Sequence, residues 1–267
     1  MKFVNKRIMS LILAGWMSIS LYGCVPSELS GDTSDYDILE TNDDNLNDGL
    51  KNGIKQIIPV QGENFSLVIE YSSDSSEWRI TANKNLHMTI YTQGLAGKNV
   101  YIDTIHMDAS IVSTKAYYDG IKQDTLDDHI HNSQMIGFPI SDTNQYYGVN
   151  LIEGQNSEFI EGYSHGYNGH HSGSVEQKRR LESDFLEDGV WANKIDGVVG
   201  LLIEDPITGE IRGVDVPTTI LVAVNNKITF EDEDVYLTYE YDKYGNRNLI
   251  SETPKQEDEQ EKVNTLK

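Results

Sequence analysis

Short runs in which an apolar side chain recurs at every second position extend through most of this chain of 267 residues. The first run has Phe65, Leu67, Ile69 and Tyr71 in alternate positions. Further runs follow at 78–82, 86–90, 100–102, 111–112, 135–140, 146–152, 158–163, 198–203, 211–216, 219–224, 228–230 and 235–241. Turn-forming residues interrupt these runs about every 8–12 residues. Period-two runs with this spacing are typical of antiparallel strands.

This pattern predicts an all-β protein, an antiparallel β-sandwich with one or two Ig-like halves. We expect at most one short helix. Ser174 and Gln177 have the spacing of a capping box, and Leu181 and Phe185 share a helical face with Leu186. Gly189 would end that helix.

The chain contains a single cysteine, Cys24, so an intramolecular disulfide is excluded. Small exported domains often depend on disulfides, whereas a domain of about 200 residues buries enough apolar surface to fold without them. We therefore expect the stability of the folded part to come from its apolar core.

The first residues have the organisation of a secretory signal peptide. Lys2, Lys6 and Arg7 supply the positive charge, and an apolar segment at 8–21 follows. That segment is shorter than the roughly 18–20 apolar residues that span a bilayer. The sequence thus predicts an export signal rather than a transmembrane helix.

The segment Leu21-Tyr22-Gly23-Cys24 resembles the lipobox of bacterial lipoproteins. The resemblance implies transfer of a diacylglycerol, with palmitate or similar acyl chains, to the Cys24 thiol and cleavage before Cys24, which leaves Cys24 as the first residue. Tyr22 departs from the family pattern, in which a small residue is commoner. Two acyl chains on one cysteine suffice for stable anchoring, so the resemblance implies a protein held on the outer face of the bacterial cell membrane.

The charge balance restricts the partners of the protein. Asp and Glu number 43 and Lys and Arg number 21, which gives a net charge of −22 at pH 7. Nucleic-acid binding requires basic surface, so we exclude it. Cations and cationic partners are electrostatically favoured.

Composition divides the chain into four segments. Residues 1–23 form the predicted signal peptide, and 24–56 form an acidic, disordered tether that begins with the lipidated cysteine. We expect the β-sandwich at 57–250, with a sub-boundary near 141–175 if there are two halves. Residues 251–267 are charged and polar and are predicted to be a disordered tail.

Residues 162–166 match the G-x-S-x-G pattern of the α/β-hydrolase nucleophile. That site requires a helix directly after the serine and a histidine much later in the chain. Glycines interrupt the following segment, and His171 is the last histidine. We therefore interpret 164–174 as a loop between strands and assign no catalytic residue.

Histidines in two segments, 127–131 and 164–171, raise metal binding as an alternative. His129 and His131 would point the same way on a strand, and His106 with Asp108 forms a similar pair. Zinc or calcium could be held by such residues, but no spacing matches a defined motif. We assign no metal or cofactor site.

The sequence thus predicts a lipid-anchored binding protein of the cell surface rather than an enzyme. Its partner at the envelope would be a protein or a glycan, in addition to the membrane that holds its lipid. A metal-binding protein or metal-dependent surface enzyme that uses 127–131 and 164–171 is the alternative.

Overall fold

The computed structural model describes residues 50–75, 77–130, 136–167 and 180–255. Cys24 and the predicted signal peptide lie outside these ranges. All the described residues belong to one compact unit, 38–267. No helix within the described ranges is both long enough and apolar enough to cross a bilayer.

The described residues form twelve strands and two short helices, which confirms the all-β, sandwich-like class. The strands are β1 Ile54–Pro59, β2 Ser66–Ser72, β3 Lys84–Gln93, β4 Asn99–Ser113, β5 Lys122–His129, β6 Phe138–Ile140, β7 Tyr146–Ile152, β8 Val190–Glu204, β9 Ile211–Ala223, β10 Lys227–Glu231, β11 Val235–Tyr241 and β12 Arg247–Pro254. The helices are α1 Ser157–Tyr167 and α2 Glu182–Glu187.

All pairings are antiparallel. The first sheet has the strand order β1-β2-β3-β7, and the second has the order β5-β4-β8-β9, with β6 also pairing with β4. The third sheet is the meander β10-β11-β12. Because β4 pairs with β8 along its whole length, strands from before and after 141–175 share one sheet.

The core lies between the first and second sheets. Alternate side chains of β2 and β3, such as Ile69 and Met88, are fully buried together with Met107 and Val199 of the second sheet. Polar contacts also join the two sheets, since the Tyr71 hydroxyl lies 2.7 Å from the Thr218 Oγ1. Burial of period-two apolar faces therefore explains the sandwich.

The predicted strand at 78–82 is wrong. Trp78 and Ile80 are buried as their alternation suggests, but this segment pairs with no strand. The carboxylate of Glu182 in α2 accepts hydrogen bonds from the backbone amides of Ile80 and Thr81, each at 2.8 Å. A side chain that is distant in sequence thus satisfies the backbone donors that a neighbouring strand would otherwise satisfy.

A buried polar network supports the same segment. The Trp78 indole donates to Asn193 Oδ1 at 2.9 Å, and Asn193 donates to Gln123 Oε1 at 3.0 Å. The Lys84 amine, also buried, donates to the Arg79 carbonyl at 2.8 Å. Because these buried donors have partners, the network fixes the segment without an unpaired polar group.

The predicted strand at 158–163 is also wrong, because these residues belong to α1. With α2 this makes two helices, so the expectation of at most one short helix is wrong too. Phe159 and Tyr163 are both buried whereas Glu161 is exposed, which fits a helix, because a strand would place all three residues on one face. Asn156 caps this helix, since its Oδ1 accepts the Phe159 amide at 2.7 Å. The predicted helix survives in part as α2, whose Phe185 and Leu186 are buried.

The predicted segment boundaries need two corrections. Leu50 is buried and β1 begins at Ile54, so the folded region starts before residue 57. At the other end β12 continues to Pro254. Both segments have exposed polar residues, which resemble a tether in composition, but backbone pairing with β2 and β11 orders them.

The neighbouring runs at 219–224 and 228–230 do not pair with each other. Residues 211–223 form one continuous strand along β8, and β10 pairs with β11 instead. The runs at 198–203 and 211–216 do pair, as parts of β8 and β9.

Candidate binding surface

The histidine pair predicted at 127–131 is only partly described. His129 ends β5, is exposed, and lies opposite Thr104 of β4. His131 lies outside the described residues, as do His170 and His171. His165 is within the backbone span of α1.

The second histidine pair lies on the outer face of the second sheet. His106 Nδ1 is hydrogen-bonded to Asp127, and its Nε2 is 4.0 Å from Asp108 Oδ1. Lys122 pairs with the same Asp108 oxygen at 2.7 Å. Across the described ranges, no group of three or more His, Cys, Asp or Glu residues has an arrangement that could hold a metal ion.

The G-x-S-x-G segment lies inside α1 rather than at a turn between a strand and a helix. The predicted loop at 164–174 is therefore helical up to residue 167. The Tyr163 ring is buried, and its hydroxyl donates to Asp188 Oδ2 at 2.7 Å. Burial and the Asp188 carboxylate raise the pKa of Tyr163 above its usual value. Tyr163 therefore stabilises the packing of α1.

The outer face of the first sheet carries an exposed apolar row along β7. Tyr147, Val149 and Leu151 are 62%, 50% and 52% exposed. They point outward together because they occupy alternate positions, while Gly148 and Ile152 between and beyond them are buried. We call Tyr147, Val149 and Leu151 the β7 ridge. Three large apolar side chains in one exposed row are typical of a contact surface.

His87 of β3 orders one end of the β7 ridge. Its Nδ1 lies 2.6 Å from the Tyr147 hydroxyl, and its Nε2 is 3.7 Å from Asp74 Oδ1. The Asp74 carboxylate also accepts a hydrogen bond from Asn85 at 3.2 Å. These contacts hold the Tyr147 ring in place, which lowers the entropy that a partner would remove on binding.

The opposite side of the same outer face is polar. Lys55 of β1 lies 3.0 Å from Glu70, and the Tyr91 hydroxyl donates to that same carboxylate at 2.8 Å. One exposed apolar side chain, Ile57, stands near this network and is 53% exposed. The apolar row is thus confined to the β7 edge.

β7 is an edge strand, and its sequence differs from those of the other edges. It contains no charged residue and no proline. In the described part of the chain, every other edge strand carries at least one charged residue or proline. These strands are β1, β5, β6, β9, β10 and β12. Charges and prolines on edge strands prevent pairing with other chains, so β7 alone lacks this protection.

Two carboxylates of β5 lie beside β7. The Tyr146 hydroxyl donates to Asp128 Oδ2 at 2.5 Å, and Asp124 Oδ2 accepts the Glu153 amide at 2.9 Å. Burial, together with the hydrogen bond to Asp128, raises the pKa of Tyr146, so that hydroxyl stays a proton donor. Within the described ranges neither Asp124 nor Asp128 forms an ion pair with a lysine or arginine. The β7 edge is therefore flanked by negative charge.

Sequence reasoning predicted the β7 strand but not the β7 ridge. The absence of charge over 146–152, in a chain with 24% charged residues, is the signal that could have indicated it. That signal is ambiguous, because a strand buried on both faces has the same composition.

No family model and no curated protein matches the chain. Seven chains of solved structures do. One of them, described as "X-ray structure of Northeast Structural Genomics Consortium target SoR45", has 14% sequence identity and a TM-score of 0.27. The match covers 64% of this chain and 92% of that one. Similarity at this level supports no statement about function.

Proposed function

We propose that the protein is a lipid-anchored binding protein on the outer face of a bacterial cell membrane, and that the β7 ridge contacts a protein partner. The observation that carries the binding function is the exposed apolar row on an unprotected edge strand. The lipobox-like segment that ends at Cys24 supports the location.

The side chains of the β7 ridge favour a protein over a glycan. Glycans stack on outward aromatic rings, whereas two of the three ridge residues, Val149 and Leu151, are aliphatic. Trp78 is buried and Trp191 is only partly accessible, so neither of these two tryptophans, the ones within the described ranges, extends the exposed face. Aliphatic rows on sheet edges are instead typical of strand-mediated protein contacts.

Replacement of Cys24 tests the anchor. We expect the native chain in the membrane fraction and the Cys24→Ala variant in the soluble fraction or the medium, because the variant lacks the thiol that receives the lipid. Labelling with a radioactive fatty acid gives an independent readout. Equal membrane retention of the two chains, with no label on either, would refute the anchor.

Photo-crosslinking in intact cells tests the binding surface. Benzoylphenylalanine in place of Val149 should give a discrete adduct, and the same group in place of Ile57 should not. The two positions have similar exposure on the same outer face, 50% and 53%, so the comparison separates the β7 edge from general accessibility. If neither position, or both equally, gave adducts, the β7 ridge would not be the binding surface.

A further inference from the structure

We propose that β7 binds an extended, basic peptide segment as an added strand, an inference that names the partner class of the proposed binding function. The segment would carry apolar side chains at alternate positions and Lys or Arg at the intervening ones. It would come from a partner protein at the envelope.

Backbone pairing is the first step of the argument. β7 pairs with β3 on one side only, and no other strand among the described residues pairs with it. The strand has seven residues, a span of about 23 Å at roughly 3.3 Å per residue. Its free backbone groups would form the main-chain hydrogen bonds that give affinity when a strand is added to a sheet.

The β7 ridge determines the apolar positions of the added segment. Cross-strand neighbours on one face of an antiparallel pair interact directly. The ridge already continues the row of β3, because Thr89 lies opposite Tyr147 and His87 lies opposite Val149. Side chains of an added strand that share this face would contact the ridge, so they should be apolar.

Charge determines the other positions. Alternate side chains of an added strand point toward the opposite face of the first sheet, where β5 supplies Asp124 and Asp128. Asp128 is partly buried and accepts a hydrogen bond from the Tyr146 hydroxyl, so salt ions screen its charge only partly. Lys or Arg at these positions would lie near two carboxylates, neither of which forms an ion pair with a lysine or arginine in the described ranges.

A second copy of this chain fits the same edge less well. Self-pairing of β7 would extend the sheet and bring β5 of one copy beside β5 of the other. Each β5 carries Asp124, Asp127 and Asp128 against Lys122, which already pairs with Asp108. The net charge of −22 adds long-range repulsion between copies.

Synthetic peptides of about nine residues, enough to cover β7, test this inference with the purified full chain. The probe alternates lysine and valine and carries a fluorophore for anisotropy. One control has the same composition with the lysines and valines in separate blocks, and another alternates glutamate and valine. The third control is a pair of N-methylated probes. One carries N-methyl groups on the odd-numbered residues and the other on the even-numbered residues, so that one of the two cannot donate backbone hydrogen bonds to β7.

We expect the alternating lysine–valine probe to bind at least about tenfold more tightly than the block and glutamate peptides, because only it matches both faces. One of the two N-methyl registers should lose binding by a similar factor. Equal binding of the block peptide would show simple charge attraction and would overturn the proposal.

Variants of the protein supply the matched comparison. Val149→Lys should weaken probe binding about tenfold, as edge lysines block pairing, whereas Ile57→Lys adds the same charge at the opposite edge and should change it less than about twofold. Asp128→Asn should weaken binding more than Asp215→Asn, which removes a carboxylate from β9 at the far edge of the second sheet. Circular dichroism of each variant confirms that it folds.

The possible failures are distinguishable. Crosslinking at Val149 without any probe binding would leave the binding function in place and refute the basic strand. Crosslinks of the chain to itself, with a dimer that Val149→Lys dissociates, would make a second copy the occupant and overturn the proposal. Loss of the Cys24 anchor would not affect probe binding, because that measurement uses the purified chain.

Discussion

Lys84 is the residue whose burial has the clearest energetic consequence. Its amine is almost fully buried and lies 5.4 Å from the centre of the Trp78 ring. Burial lowers the pKa of Lys84 from 10.5 to about 8, although the Glu182 and Asp124 carboxylates oppose the shift. The unfolded chain therefore binds more protons than the folded one between about pH 8 and 10.5, and the contribution of Lys84 to stability rises with pH across that window.

We predict that the free energy of unfolding of the native chain rises by about 1–3 kcal/mol relative to Lys84→Met between pH 7 and pH 10, at about 1.4 kcal/mol per pKa unit. Taking the difference between the two chains removes the contribution of the tyrosines to the pH dependence, because both chains contain them. Urea unfolding followed by circular dichroism at each pH measures it. Lys51 is exposed, so Lys51→Met is the control for the loss of a lysine at the surface. A constant difference for Lys84→Met would contradict the lowered pKa.

At the scale of elements, the β4–β8 pair depends on a glycine. Gly197 lies opposite Met107, and a Cβ at this position would be only 2.0 Å from the His106 carbonyl oxygen. The obstacle is backbone, which no rotamer change can move. Any side chain at residue 197 must therefore separate the two central strands of the second sheet.

Gly197→Ala should lower the free energy of unfolding by about 2–4 kcal/mol, a large overpacking cost for a single methyl group. Gly213→Ala is the matched control, because a Cβ there meets nothing within 4 Å and the residue also lies on a strand of the second sheet. It should change stability by less than about 0.5 kcal/mol. Equal losses in urea unfolding of the two variants would show that the β4–β8 approach is not the cause.

Strand positions could be predicted from the sequence where one face is buried and the other is not. The alternation at 65–71 and 86–90 correctly indicated β2 and β3, since each has one face in the core. Prediction failed where long-range contacts determine the backbone: Glu182 holds Ile80 out of any strand, and Phe159 and Tyr163 pack as a helix. A period-two pattern of only a few residues does not separate these outcomes.

The candidate site was less predictable than the fold. The run at 146–152 indicated a strand, but it did not indicate which face of the sheet Val149 would occupy. The edge position of β7 follows only from its pairing with β3. The Asp124 and Asp128 side chains come from β5, about twenty residues earlier, and the turns that bring them beside β7 have no sequence signal.

At the scale of the whole molecule, net charge opposes folding. The chain has a net charge of −22 at pH 7, and its negative groups repel one another more strongly in the compact state than in the unfolded chain. Added salt screens this repulsion, because the Debye length falls from about 30 Å at 0.01 M to about 8 Å at 0.15 M. Many ion pairs on the surface are exposed, for example Lys55 with Glu70, and salt weakens these slightly. The repulsion involves far more charges than the pairs do, so we expect its relief to dominate.

We therefore predict that the melting temperature at pH 7 rises as sodium chloride increases from about 0.01 to 0.15 M, a range over which screening changes most. Scanning calorimetry of the full chain measures it. The same series near pH 4.5, the isoelectric point, is the control. The net charge is then close to zero, so there is little repulsion for added salt to screen. An equal rise at both pH values would assign the effect to salt acting on apolar surface, and a fall at pH 7 would mean that the ion pairs outweigh the net repulsion.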